Sequence, residues 1–144
     1  MVNEPGPIID IGYQPKEKKL LLVVDDESAI HGVIFDSLDD DYRLVSAFNG
    51  REGVDKALKI RPALILMDVM MPDIGGYEAV RLLHDDPRTR NIPVVVMTAQ
   101  NFDESTVKLM KQEPNVLNFL PKPFRTKDLR EVVAKAIARA NPPA

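Results

Sequence analysis

Cysteine and tryptophan are absent from this 144-residue chain, and aromatic residues make up only 6% of it. The lack of cysteine excludes disulfide staples and thiolate chemistry and fits a reducing compartment. No apolar run approaches the length that crosses a bilayer, and the start, MVNEPGPIIDIGYQPKEKK, has no apolar core like that of a signal peptide. The cytoplasm is therefore the expected location, without membrane insertion. A dominant charge is lacking too: 19 Lys and Arg against 22 Asp and Glu leave a net of -3. Such a balance offers no basic face for direct contact with nucleic acid. There is no internal repeat or low-complexity tract. The length suits one domain with a real core.

What is present is an alternation of strand and helix patterns, expected to form one domain over residues 19–140. Residues 1–18 carry Pro5, Pro7 and Pro15 and end in a charge cluster, so they read as an N-terminal tail or linker, with Ile8, Ile9 and Ile11 available for packing. Residues 141–144, Asn-Pro-Pro-Ala, stop a helix and read as a C-terminal tail. The near-continuous apolar run Leu20 to Val24 predicts a strand buried on both faces. Ser28 is the candidate cap of a helix with apolar positions Ile30, Val33, Ile34 and Leu38. A second strand is expected from Tyr42 to Ala47, and a helix opening at Asn49-Gly50 and halting near Arg61-Pro62. Residues 63–67 predict a third strand ending at Asp68, Glu78 to His84 a short helix, and 94–97 a fourth strand. Then follow a helix from Glu104 to Lys111, a weaker strand over 117–120, and a last helix with the stripe Leu129, Val132, Val133, Ala136 and Ile137. Repeated strand–helix units predict an α/β fold, a doubly wound parallel sheet with helices on both faces. Ligands of such sheets bind beyond the carboxyl ends of the strands, where the strand order switches.

That is where the reactive side chains fall. Asp25-Asp26, Asp68, Thr98 and Lys122 come at the ends of four of the apolar runs. Carboxylates crowded into one crevice repel, and a divalent cation removes the conflict. Mg²⁺ suits an all-oxygen set with room for water and phosphate. An acyl phosphate on Asp68 would add roughly one negative charge, which the Thr98 hydroxyl and the Lys122 ammonium could meet. Phosphoryl transfer asks for little beyond positioning and charge stabilisation.

From about residue 19 to 140 the chain resembles the receiver domains of two-component response regulators, of the chemotaxis-regulator type. The resemblance rests on LLLVVDDE (20–27), LILMDVMMPDIGGYE (64–78), VVVMTA (94–99) and FLPKPF (119–124), in identity and in spacing. It implies a single (βα)5 flavodoxin-like domain whose five parallel strands lie in the order 2-1-3-4-5. It makes Asp68 the phosphoacceptor. Asp26 would bind Mg²⁺ directly, Asp25 mainly through water, with Asp68 in the same metal set and Met70 joining by its backbone carbonyl. Lys122 would pair with a phosphoryl oxygen, and Thr98 would hydrogen-bond it and act with Phe119 as the switch. The Lys122-Pro123 bond is expected to be cis, as in the family. No further cofactor is implied. The implied partners are a histidine kinase or histidine phosphotransfer protein as donor and a downstream protein target. That target would meet the fourth helix, fifth strand and fifth helix, near Lys108, Lys111, Arg125, Lys127 and Arg130. A phosphorylation-dependent homodimer is a further implication. The expected role is bacterial phosphorelay signalling, with catalysis confined to the domain's own phosphorylation and dephosphorylation. No effector segment follows the last helix, so output is expected through protein contact.

Some positions depart from the family pattern. Glu113-Pro114-Asn115-Val116-Leu117 stands where a small Gly-Ala pair is usual, and Asn115 is expected to supply the left-handed turn. Gly75 replaces a polar cap of the third helix, Phe119 lacks a tyrosine hydroxyl, and neither Met70 nor Gln100 can activate water, so slow self-dephosphorylation is expected. The residues leave three rival readings. One is a phosphorylation-independent interaction module, another one receiver of a larger hybrid kinase or multidomain regulator. The third, an aspartyl-nucleophile phosphatase, lacks its second acid because Met70 occupies that position. His31 and His84 read as ordinary helix-face residues, Met67, Met70 and Met71 as packing and loop residues, and the runs Asp39–Asp41 and Lys16–Lys19 as solvated charge. Arg88 and Arg90 read as surface.

Overall fold

The computed structural model describes residues 17–99 and 103–141. The expected N-terminal tail, apart from its last two residues, lies outside that range, as do Gln100 and residues 142–144. The chain runs through β1 (Lys19–Val24), α1 (Ser28–Leu38), β2 (Tyr42–Ala47), α2 (Gly50–Ile60), β3 (Leu64–Asp68) and α3 (Gly76–Asp85). It continues with β4 (Val94–Thr98), α4 (Glu104–Lys111), β5 (Val116–Pro121) and α5 (Thr126–Ala140). All strand pairs are parallel, in the order β2-β1-β3-β4-β5. The expected α/β architecture and strand order are those of the molecule.

Alternation along the buried strands divides the core into two layers. Leu22, Val24, Ile65, Met67, Val94 and Val96 face one side and meet Val54 and Ala57 of α2, Ala79, Val80 and Leu83 of α3, and Met110 of α4. Leu21, Val23, Leu64, Leu66, Val95 and Met97 face the other and meet Ile34 and Leu38 of α1 and Leu129, Val133, Ala136 and Ile137 of α5. Central strands sandwiched this way need apolar residues at every position, which is why they read as continuous runs.

Local signals set most boundaries. The Asn49 side chain accepts from the Glu52 amide and caps α2, which ends where Arg61 turns left-handed (φ 43°) before Pro62. Gly75 caps α3 without a side-chain bond, as expected. Two expectations are corrected. Ser28 does not cap α1: it is the first helical residue, the cap position is Glu27, and no side chain bonds there. Asn115 is not left-handed; Arg61 and Asp73 are the non-glycine residues with positive φ among those described. The turn into β5 is instead closed by the Val116 N–H on the Glu113 carbonyl (3.1 Å) and by a register shift beside Val94. Asn115 is buried, with its side-chain Nδ2 donating to the Val80 carbonyl (3.2 Å) and its backbone carbonyl accepting from the Val94 N–H (2.8 Å).

Candidate functional site

Asp25 follows β1, Asp68 ends β3, Thr98 ends β4 and Lys122 follows β5. Because these four strands are consecutive neighbours in the sheet, their carboxyl ends bring the four residues to one edge. The order reverses direction between β1 and β3, so the acids sit at the topological switch. Backbone bonds lock the rim: the Lys122 N–H donates to the Thr98 carbonyl (2.7 Å), and the Val69 N–H to the Met97 carbonyl (3.3 Å). The Lys122-Pro123 bond is cis, as the resemblance implies. Gly76 approaches the Asp68 backbone so closely that an added Cβ would lie 2.3 Å from the Asp68 carbonyl oxygen. Only glycine fits there.

Lys122 joins two of the acids. Its Nζ lies 2.7 Å from Asp25 Oδ2 and 3.2 Å from Asp68 Oδ1. Asp25 is fully buried, Asp68 is 5% exposed and Thr98 9%, whereas Asp26 lies open to solvent. Burial, followed by the negative charge of Asp25, pushes the Asp68 carboxyl up to about 6; Lys122 acts against that rise without cancelling it. Burial alone would lower the Lys122 ammonium, but its bond to Asp25 and the charges of Asp68 and Asp25 outweigh this and raise it. The lysine therefore stays charged at any ordinary pH. Asp68 emerges as a carboxylate mostly ionised at neutral pH yet more basic than usual.

The oxygen-rich part of the site fits a hard cation. Carboxylate oxygens of Asp25, Asp26 and Glu27 lie within 4.8 Å of one another. An all-carboxylate set with exposed members matches the preference of Mg²⁺ for oxygen ligands and retained water. Glu27 was not among the expected ligands; it joins through the tight turn in which its N–H donates to Asp25 Oδ1 (2.9 Å). Asp68 lies outside that trio and is tied to Asp25 through Lys122. Met70 is exposed (65%). Phe119 is half-buried on β5 against the core, with Lys111 Nζ of α4 5.9 Å from its ring centre.

One residue near the site escaped the sequence reading. His31 is buried rather than an ordinary helix-face residue: its Nε2 lies 2.7 Å from the Asp25 carbonyl and its Nδ1 2.7 Å from Ser46 Oγ. Its position on α1, four residues beyond Glu27 and alongside β2, gives no sequence signal of that contact. His84 is half-buried on α3, with its carbonyl accepting from Arg90 Nε (3.0 Å). Arg88 and Arg90 are exposed, as expected.

A family model described as the response regulator receiver domain matches residues 21–134. The chain belongs to that family. Among curated relatives of this receiver, hybrid signal transduction histidine kinase D of Dictyostelium discoideum is 36% identical over 121 residues, covering 81% of this chain and 8% of the kinase. Response regulator Rre1 of Synechocystis is 32% identical over 121 residues, covering 83% of this chain and 52% of that protein. This receiver thus spans about half or less of the length of these relatives. Chemotaxis protein CheY4 of Vibrio cholerae superposes with a TM-score of 0.76 at 26% identity, covering 83% of this chain and 99% of that one. The receiver domain of a signal transduction histidine kinase from Syntrophus aciditrophicus gives 0.77 at 28% identity, covering 88% and 95%. Receiver domains are signalling modules of two-component systems, and both hybrid kinases and response regulators stand among these relatives. Among the described residues no helix is long and apolar enough to cross a membrane.

Proposed function

We propose that this receiver, residues 19–140, accepts a phosphoryl group on Asp68 from the phosphohistidine of a histidine kinase or phosphotransfer protein and relays the change to a protein target. The observation that carries this reading is the Lys122 ammonium held between Asp25 and Asp68, beside a carboxylate raised to about 6. In the transfer, an Asp68 oxygen forms a bond to phosphorus as the phosphorus–nitrogen bond of the donor breaks; the electron pair stays on the departing imidazole. Asp25, Asp26 and Asp68, with the Met70 carbonyl, would hold Mg²⁺, which when bound supplies positive charge against the phosphoryl oxygens. Lys122 then exchanges its bond to Asp68 for one to a phosphoryl oxygen. Thr98 donates its hydroxyl to another, and Phe119 turns inward by packing alone. This is a shift between two populated conformations.

The readout face is α4, β5 and α5. Lys108, Lys111 and Lys127 are exposed there, whereas Arg125 pairs with Asp128 (3.1 Å) and Arg130 donates to the Ser37 carbonyl (2.9 Å). The three lysines are therefore the better candidates for contact with a target or with a second copy of the receiver. The cytoplasm is the proposed setting. Incubation with acetyl phosphate and Mg²⁺, followed by intact mass, is expected to add one phosphoryl group to the wild type and none to Asp68→Asn. An unmodified wild type, or a labelled variant, would overturn the assignment. With no acid or base at Met70 or Gln100, the phosphoryl group is expected to persist well beyond a minute in Mg²⁺; a half-life of seconds would contradict this.

A further inference from the structure

The loop carrying the acids is tied down by a side chain that the phosphoryl transfer does not use. Asp25 is held on every polar atom. Its N–H donates to the Ala47 carbonyl (3.1 Å), its Oδ1 accepts from the Glu27 N–H (2.9 Å), and its Oδ2 accepts from Lys122 (2.7 Å). Its carbonyl is met by His31 Nε2 at 2.7 Å. A carbonyl can only accept, so Nε2 carries a hydrogen, and Nδ1 pairs with the Ser46 hydroxyl at 2.7 Å. The residue is 6% exposed, and its ring packs, tilted by 35°, against Phe48 at 4.4 Å between centroids. Ser46 is anchored in turn, its carbonyl accepting from Lys56 of α2. His31 is thus a strut from β2 to the peptide that joins Asp25 to Asp26. That peptide sets the direction in which the chain enters Asp26, whose carboxylate is exposed.

We propose that His31, backed by Ser46, is a positioning residue for the acid loop: by fixing the Asp25–Asp26 peptide it sets the affinity of the site for a divalent cation. This rests on the reading of Asp25 and Asp26 as cation ligands. The bland reading is a core histidine that merely satisfies its hydrogen bonds, and it predicts loss of stability without selective loss of cation affinity. Removing outer hydrogen-bond partners of metal ligands costs roughly 10- to 100-fold in affinity; His31 grips backbone rather than a ligand atom, so about tenfold is expected.

The test is Mg²⁺ titration of the ¹⁵N-labelled full chain, following the Asp26 and Glu27 amides by NMR, with melting temperatures measured in parallel. His31→Leu is expected to bind about tenfold more weakly. His31→Gln, which keeps a donor for the carbonyl, should recover most of that loss, and Ser46→Ala should bind about threefold more weakly. Val133→Ala, in the α1–α5 layer, lowers stability away from the loop and should leave affinity unchanged. Unaltered affinity in His31→Leu, or an equal loss in Val133→Ala, would overturn the strut while leaving the cation site intact. If His31→Leu does not fold, Ser46→Ala and His31→Gln decide: wild-type affinity in Ser46→Ala would overturn the proposal, and a graded loss would support it. Asp26→Asn separates the two readings. Should the wild type fail to bind, or Asp26→Asn bind as well as the wild type, the ligand assignment itself falls.

Discussion

At Asp68 a stabilising contact and a destabilising burial compete, and burial prevails. Burial, and after it the charge of Asp25, pushes the folded carboxyl up to about 6 from its ordinary value of 3.8. Between those values the folded state holds more protons than the unfolded chain. Metal-free stability therefore falls as pH rises from about 4 to about 6 and is level above. Asp68→Asn removes the buried charge, so in EDTA at pH 7 the variant should be more stable than the wild type, by at most about 3 kcal/mol. Urea unfolding at pH 4 and pH 7 checks this; a gap that does not shrink toward pH 4 would refute it. Lys122→Met should act in the opposite direction. It leaves Asp25 and Asp68 facing each other uncompensated, which raises the Asp68 carboxyl further and costs about 3 kcal/mol at neutral pH. The carboxyl ¹³C shift of Asp68 across the titration reads the first effect, and urea unfolding the second.

At the scale of elements, the entry to α3 holds two adjacent glycines with opposite demands. A Cβ on Gly76 would meet the Asp68 carbonyl oxygen at 2.3 Å and Val69 Cα at 2.8 Å, both backbone atoms unable to yield cheaply. Gly76→Ala is expected to destabilise by about 3 kcal/mol and to displace the Asp68 backbone. A Cβ on Gly75 would sit 3.7 Å from the Val69 carbonyl, and the residue has extended cap geometry (φ -75°, ψ 170°) that any residue adopts. Gly75→Ser, which adds a side-chain acceptor at the cap, should stabilise by a few tenths of a kcal/mol. Thermal unfolding of the pair tests both signs together. If Gly76→Ala melts at the wild-type temperature, the close approach of α3 to the acid is not what fixes that turn.

For the whole molecule, acids drawn together from separate strands make folding and cation binding one linked equilibrium. A cation that binds the assembled edge and not the unfolded chain adds stability by mass action, about 2.7 kcal/mol at a hundredfold excess over its Kd. Mg²⁺ should therefore raise the melting temperature of the wild type in a concentration-dependent way and leave Asp26→Asn unmoved. A parallel rise in the variant would place the bound cation elsewhere.

The sequence by itself determined the sheet and its contents. Strands buried on both faces must be apolar throughout, and helices at the surface need only a stripe, so β1, β3, β4 and α5 could be read directly. It also placed Asp25, Asp68, Thr98 and Lys122 at strand ends, because parallel topology sends every carboxyl end to the same edge. The tertiary structure alone decided how those groups pair. That Lys122 bridges Asp25 and Asp68, that Glu27 folds back beside Asp25, and that His31 reaches the Asp25 carbonyl depend on side-chain directions across elements distant in the chain. Periodicity records which face a residue lies on and carries no trace of what it touches there. Asn115 marks the same boundary: its composition suggested a left-handed turn, but the neighbouring β4 and α3 backbones claimed its hydrogen bonds and a register shift in β5 took up the turn.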